Sequence, residues 1–141
     1  MKIVKDALTH ILRTDPIVQA YVGRDSRDQP RVYEDYAPKD ELAPYVVWHL
    51  MAGGTPPEGT YGDDECIENV LVQVASWGRN YDEAWSIYGI VHDALRGGNW
   101  NAMLAPYELM LIKRMGDQFT VPDADTNWVQ VPVTYRLSLG R

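Results

Sequence analysis

The sequence lacks most features that mark secreted, membrane or nucleic-acid-binding proteins. Its single cysteine, Cys66, cannot form an internal disulfide, and no apolar run is long enough to span a bilayer. Lys and Arg number 13 against 20 Asp and Glu, a net charge of −7. Clustered cations are needed to bind phosphates, so this balance disfavours nucleic acid as a partner. We expect one soluble domain over residues 1–141, with no membrane partner.

Catalytic and metal-binding motifs are also missing. There is no phosphate-binding G-x-x-x-x-G-K loop, no H-E-x-x-H motif and no G-x-S-x-G motif. The histidines His10, His49 and His92 fall on three different predicted elements, which favours structural roles. Residues 123–127 open like a calcium-binding EF-hand loop, but Trp128 and Thr134 occupy the positions of its essential Gly and Glu. The sequence therefore predicts no catalytic residue, no metal, no cofactor and no enzyme.

Aromatic composition is the first positive signal. Five Trp and nine Tyr stand against one Phe. Trp and Tyr combine a large apolar area with a polar tip, which suits partly exposed contact surfaces as well as cores. The composition points toward assembly.

The chain is organised around a strand and the helix that follows it. Val70, Val72 and Val74 alternate on one face of the predicted strand. From Tyr81 the apolar period becomes helical and continues to Leu95. Helix boundaries are marked by a potential N-cap at residue 80, acidic residues in the first turn, and glycines at 97 and 98.

Other segments complete an α+β prediction. Apolar spacing predicts helix from Lys2 to Val22, broken at residues 15–16 by Asp-Pro. Strands are expected near Arg31, Tyr45, Ile67, Tyr107 and Thr126. In the strand from Tyr107, strict alternation would place Leu109 and Leu111 on one face. In the last strand, Pro132 indicates an edge position or a bulge. We predict an antiparallel-dominated sheet of about four to five strands with two main helices packed on one face.

One connection is too long for a tight turn. Residues 53–65 have no apolar period and are rich in Gly, Pro and acidic residues. Loops of this length are usually functional or disordered, and a tolerated surface insertion is an equal alternative. We predict that it is mobile in the free protein and becomes ordered against a partner. The candidate interaction residues are Pro56, Pro57, Tyr61, Asp63 and Asp64.

Taken in order, several segments resemble the phage tail completion, or tail terminator, protein family. Residues 14–23 read Thr-Asp-Pro-Ile-Val-Gln-Ala-Tyr-Val-Gly, Val32-Tyr33 precedes Pro38, and residues 42–47 read Leu-Ala-Pro-Tyr-Val-Val. Residues 72–77, Val-Gln-Val-Ala-Ser-Trp, run into Tyr-Asp-Glu-Ala at 81–84, and residues 135–139 read Tyr-Arg-Leu-Ser-Leu. The resemblance covers nearly the whole chain, although its pieces are caps, turns and strand faces.

The resemblance implies a small α+β subunit of the virion. It would assemble as a ring, with six copies as the expectation, on the head-proximal end of the tail tube. Its partners would be further copies of itself, the tail tube protein and a head–tail connector protein. An acidic lumen would keep passing DNA from adhering, a hypothesis motivated by net charge alone. The alternatives are another neck adaptor, or a small ligand-binding domain or enzyme using Trp48 and His49.

Overall fold

A computed structural model of the chain describes residues 2–39, 41–55, 68–116 and 118–140. The helices are α1 (Lys2–Thr14), α2 (Pro16–Val22), α3 (Tyr81–Gly97) and α4 (Asn101–Leu104). The strands are β1 (Val32–Glu34), β2 (Tyr45–Thr55), β3 (Glu68–Gly78), β4 (Glu108–Met115), β5 (Val121–Pro122) and β6 (Val129–Gly140).

The strands form one mostly antiparallel sheet in the order β1-β2-β3-β6-β4, with β5 also paired to β6. The only parallel pair among the described strands is β1 with β2. Helices α1 and α3 pack on one face, in the core that the valines of β3 and β6 build. The predicted α+β class and its arrangement of sheet and helices are confirmed.

Period-two alternation decides which side chains face the helices. In β3, Val70, Val72 and Val74 are buried in the core, as the sequence predicted. In β6 every second residue from Val129 to Leu139 is buried against the same helices. The intervening residues of β2, β3 and β6 lie on the opposite side, where none of the described helices packs. We call that side the open face.

Local capping fixes where the helices begin. Asp15 Oδ1 accepts hydrogen bonds from the N–H groups of Ile17 and Val18 at 2.9 and 3.0 Å, which starts α2. Asn80 Oδ1 accepts one from the Glu83 N–H at 2.9 Å, which starts α3 at the predicted residue. None of the described helices has the length and apolar content that a membrane crossing requires.

Three details of the sequence reading need correction or completion. The short helix α4 and the short strand β5 are not among the elements that the sequence predicted. In β4 the pairing shifts between Leu109 and Leu111, so the predicted shared face of these residues is wrong. Leu109 packs against the core and Leu111 lies on the open face, because Met110 is the extra residue of a bulge.

The proline in β6 occupies a local edge, as predicted. On one side it pairs with Ala75 of β3. On the other side β5 pairs with residues 129–130 and β4 with residues 134–140. Within the described chain, Pro132 therefore has a paired strand on one side only, which suits a residue without an N–H to donate.

Candidate interaction surface

Aromatic side chains gather at one end of the open face, around Tyr45. Its ring stacks on Trp77 at a centroid distance of 5.7 Å. Trp128 and Tyr33 meet it edge to face, each at 6.3 Å. The four rings form a second apolar cluster outside the core, with Val47 packed beside them. Stacked and edge-to-face pairs add to the stability gained by burying their area.

Three of these rings, Tyr45, Trp77 and Trp128, line an open groove of about 630 Å³. Val47, His49, Gln73 and Ala75 extend it along β2 and β3, and Asp35, Tyr36 and Glu41 stand at its rim. Tyr36 is 81% exposed, which is unusual for an aromatic residue and places a free ring beside the groove. We call this surface the aromatic groove.

The rim is held in place by a polar cluster between two loops. The Tyr33 hydroxyl donates a hydrogen bond to Glu41 and lies 3.4 Å from Asp25 Oδ2. Arg31 Nε lies 3.6 Å from Glu41 Oε1. Burial, followed by the hydrogen bond to Glu41, raises the pKa of Tyr33, so the phenol remains a donor at neutral pH. The cluster ties the loop after α2 to the loop before β2.

Two carboxylates, Asp35 and Glu41, line the groove, and Arg31 offsets part of the charge of Glu41. Burial raises the pKa of Tyr45, and the charges of Asp123 and Glu41 raise it further. Among the described residues that line the groove there is no Lys or Arg. A negatively charged site lined by aromatic faces favours a cationic group with apolar flanks.

The far edge of the sheet has the opposite character. β4 pairs with β6 on one side, and no described strand pairs with its other side. Lys113 and Arg114 are exposed on β4, Lys113 pairs across with Arg136 of β6, and Arg96 on α3 shares a shallow surface pocket with Arg114. None of these four cations forms an ion pair with a described residue. We call them, with β4, the basic edge.

A hydrogen-bonded network supports the helix side of the basic edge. His92 Nδ1 lies 2.8 Å from the Tyr135 hydroxyl, and the two rings stack at 5.7 Å. Arg114 donates to the Tyr88 hydroxyl. Burial and the charges of Arg114 and Arg96 lower the pKa of His92, so its ring is neutral at pH 7. This histidine has the structural role that the sequence favoured.

The predicted interaction residues Pro56, Pro57, Tyr61, Asp63 and Asp64 lie outside the described residues, and so does Cys66. The predicted start of the loop at residue 53 is wrong, because residues 53–55 belong to β2. The predicted role of residues 56–65 stays a prediction.

The other candidates of the sequence reading do not come together. Trp48 is 1% exposed in the core, whereas His49 is its neighbour on the opposite face, so these residues cannot line one ligand site. The segment that opens like an EF-hand loop forms a turn, in which the Asp123 carboxylate accepts hydrogen bonds from the Asp125 N–H and the Thr126 hydroxyl. No group of metal-ligating side chains is found in the described part of the chain.

The aromatic groove and the basic edge were not identified from the sequence. The surplus of Trp and Tyr was the available signal, because Tyr45 and Trp77 occupy the face of their strands that the core valines leave free. The cluster itself could not be predicted from the sequence. The pairing of Tyr45 with Trp77 depends on the register of β2 on β3, and Trp128 joins these rings from a distant segment.

Comparison with known proteins gives a consistent result. The family model described as tail completion protein gp17 matches residues 6–138. A chain in the structure titled "Virion of native gene transfer agent (GTA) particle" superposes with a TM-score of 0.68 at 19% identity, covering 98% of this chain and 95% of that one. The gp17 protein of bacteriophage SPP1 superposes with a TM-score of 0.59 at 20% identity, covering 97% and 88%. At these identities the superpositions establish the fold alone. No curated protein matches at a significant level.

Proposed function

From the premise that this chain belongs to the tail completion protein gp17 family, and so acts as a structural protein of the phage tail and neck, we propose that it caps the tail tube. It forms a ring on the head-proximal end of the tube, ends tube polymerisation and supports joining of the head. Its partners are its own copies, in a ring of six, the tail tube protein and a head–tail connector protein. The family match over residues 6–138 carries this proposal.

The described surface supports a role in assembly. A closed ring needs heterologous contacts, in which one patch of each subunit meets a different patch of the next. The open face and the unpaired side of β4 offer two such patches at different places on the sheet. Tail proteins of this kind act by binding, and we propose that this chain transforms no substrate.

Electron microscopy of the purified protein and of tails assembled with and without it tests the proposal. We expect rings, and tails of defined length with extra density at one end only when the protein is present. Tails of the same length without the protein would contradict the proposal. A pull-down with this protein as bait distinguishes a tail terminator from a neck adaptor, since a terminator binds purified tails, whereas an adaptor binds capsids.

The interaction residues predicted from the sequence have a place in this proposal. We propose that Pro56, Pro57, Tyr61, Asp63 and Asp64 contact a ring neighbour or the tail tube. Deletion of residues 56–62 should then weaken ring formation or tail joining. Normal rings and normal joining in the deletion variant would mean that the segment is a tolerated insertion.

A further inference from the structure

Two surfaces of this chain complement each other in charge. The aromatic groove is a concave site of about 630 Å³ with carboxylates at its rim and no described Lys or Arg in its lining. The basic edge is centred on the last strand of the sheet order, and its cations have no described carboxylate partner. The groove therefore offers carboxylates to cations that lack them, and the edge offers cations to a lining that has none.

The basic edge is unusual for a protein of net charge −7. Most other described cations lie within 4.0 Å of a carboxylate: Lys2, Lys5, Arg24, Arg27, Arg31 and Arg79. Arg136 Nε is buried, and no described residue hydrogen-bonds to it. A group of unneutralised cations at one edge marks a surface where a negatively charged partner gains most.

Apolar side chains accompany these cations. Leu111, Lys113 and Met115 share the open face of β4, and Leu111 is 46% exposed. The strand also has an unpaired side among the described strands, a position from which another chain is readily engaged. A cation flanked by Leu and Met is the kind of group that an aromatic, acid-rimmed site binds.

One molecule cannot bring its own two surfaces together. In the sheet order, β4 is separated from β2 by β6 and β3, three inter-strand steps of about 14 Å in all. The nearest parts of the two surfaces lie closer, since Gln73 in the groove pairs with Thr134 of β6, which also pairs with Met115 of β4, two inter-strand steps or about 10 Å away. Side chains on one face of a sheet point the same way, so the groove cannot close over the edge of its own subunit. The contact must therefore join two molecules.

We propose that the aromatic groove of one subunit binds the basic edge of a second copy of this chain, and that Lys113 is the central cation. This inference rests on the proposed ring and identifies the contact that would build it. The contact is heterologous, since groove and edge are different patches, so its repetition propagates around a ring. Leu111 and Met115 pack against the aromatic rings while the ammonium group lies near the carboxylates of the rim.

Charge exchange between the surfaces tests the proposal. Lys113→Glu reverses the edge, and Gln73→Lys places a cation in the groove. Each variant alone should raise at least tenfold the concentration needed for half-assembly, measured by light scattering and native mass spectrometry at low salt. The double variant Q73K/K113E should recover assembly, and so should an equimolar mixture of the two single variants, because each mixed pair again joins opposite charges.

A matched control separates this effect from a change in net charge. Lys2→Glu makes the same charge change on an exposed residue of α1, distant from both surfaces, and should assemble like the wild type. Circular dichroism confirms that each variant is folded. Leu111→Ser replaces K113E if that variant unfolds, and Gln130→Lys replaces Q73K.

The outcomes show separately whether the proposed contact fails and whether the proposed ring fails. Wild-type rings together with unimpaired assembly of K113E and Q73K would overturn the proposed contact and leave the ring intact. Loss of assembly in both single variants without recovery in the double variant would also overturn it. A wild-type protein that is monomeric at every concentration, with no ring on tails, would refute the proposed function and this contact together.

Discussion

At the scale of single residues, two glycines of one strand–helix unit are expected to respond oppositely to the same substitution. A Cβ on Gly78 would lie 2.4 Å from the backbone nitrogen of Ala84, at the start of α3. On Gly89, inside α3, it would meet no atom within 4 Å outside the helix.

We expect Gly78→Ala to destabilise the fold by about 2 kcal/mol or more, since backbone must move. Gly89→Ala should stabilise it by about 0.5 to 1 kcal/mol, because glycine is costly within a helix. Urea titrations followed by circular dichroism measure both. Equal effects of one sign would contradict the close packing of β3 on α3.

A second residue-scale prediction concerns pH. The pKa of His92 is lowered in the folded protein by burial and by the charges of Arg114 and Arg96, while Asp93 acts in the opposite direction. An unfolded histidine titrates near pH ~6.5, so the unfolded state takes up the proton first. The free energy of unfolding should therefore fall as pH drops below about 6.5 and become flat below the folded pKa.

Replacement by glutamine, which cannot titrate, isolates this contribution. In His92→Gln the loss of stability between pH 7 and pH 5 should be smaller than in the wild type. Parallel urea titrations at pH 5, 6 and 7 measure the difference. Stability lost at lower pH belongs to carboxylates such as Glu83, whose pKa is lowered mainly by its hydrogen bond with Arg79. Identical pH profiles would exclude His92 as the source.

At the scale of elements, α1 is held by one apolar stripe. Leu12 is 0% exposed in the core, whereas Ile17, just beyond the helix on α2, is 59% exposed. Leu12→Ala leaves a cavity and should cost about 2 to 5 kcal/mol, whereas Ile17→Ala should cost less than about 1 kcal/mol. Thermal and urea unfolding compare the two, and a cost for Ile17→Ala as large as that for Leu12→Ala would mean that α2 packs differently.

The elements also show what local pattern can and cannot predict. Period and caps placed α1 and the start of α3, because a helix depends on residues three and four apart. The bulge at Met110 was not predictable, since it depends on which residue of β6 pairs with each residue of β4. The facing of Leu109 and Leu111 follows from that pairing, and strict alternation assigned it incorrectly.

At the scale of the whole molecule, one buried cluster joins α1, α2, α3 and α4 to the long strands of the sheet. We propose that the chain is a single folding unit and expect one cooperative unfolding transition. Tryptophan fluorescence and far-ultraviolet circular dichroism should give coincident urea curves. Tryptophan fluorescence samples both the core, through Trp48, and the aromatic groove, through Trp77. A fluorescence midpoint that differs from the circular dichroism midpoint would indicate two units.

The same scale explains which functional conclusions the sequence supported. The ordered caps, turns and strand faces indicated the family, because these features recur wherever this fold is built. The aromatic groove required the pairing of β2 with β3, and the basic edge required β4 to lie at the end of the sheet order. Neither is visible in a list of residues along the chain.

A sheet covered on one side only separates the demands on its two sets of side chains. Residues beneath the helices must keep their volume and apolar character, or the molecule does not fold. The residues between them in each strand face the open side and are constrained only by the partner that binds there. Such a protein can diversify its contacts by mutation at every second position while its architecture persists, so descendants can acquire new neighbours without inventing a new scaffold.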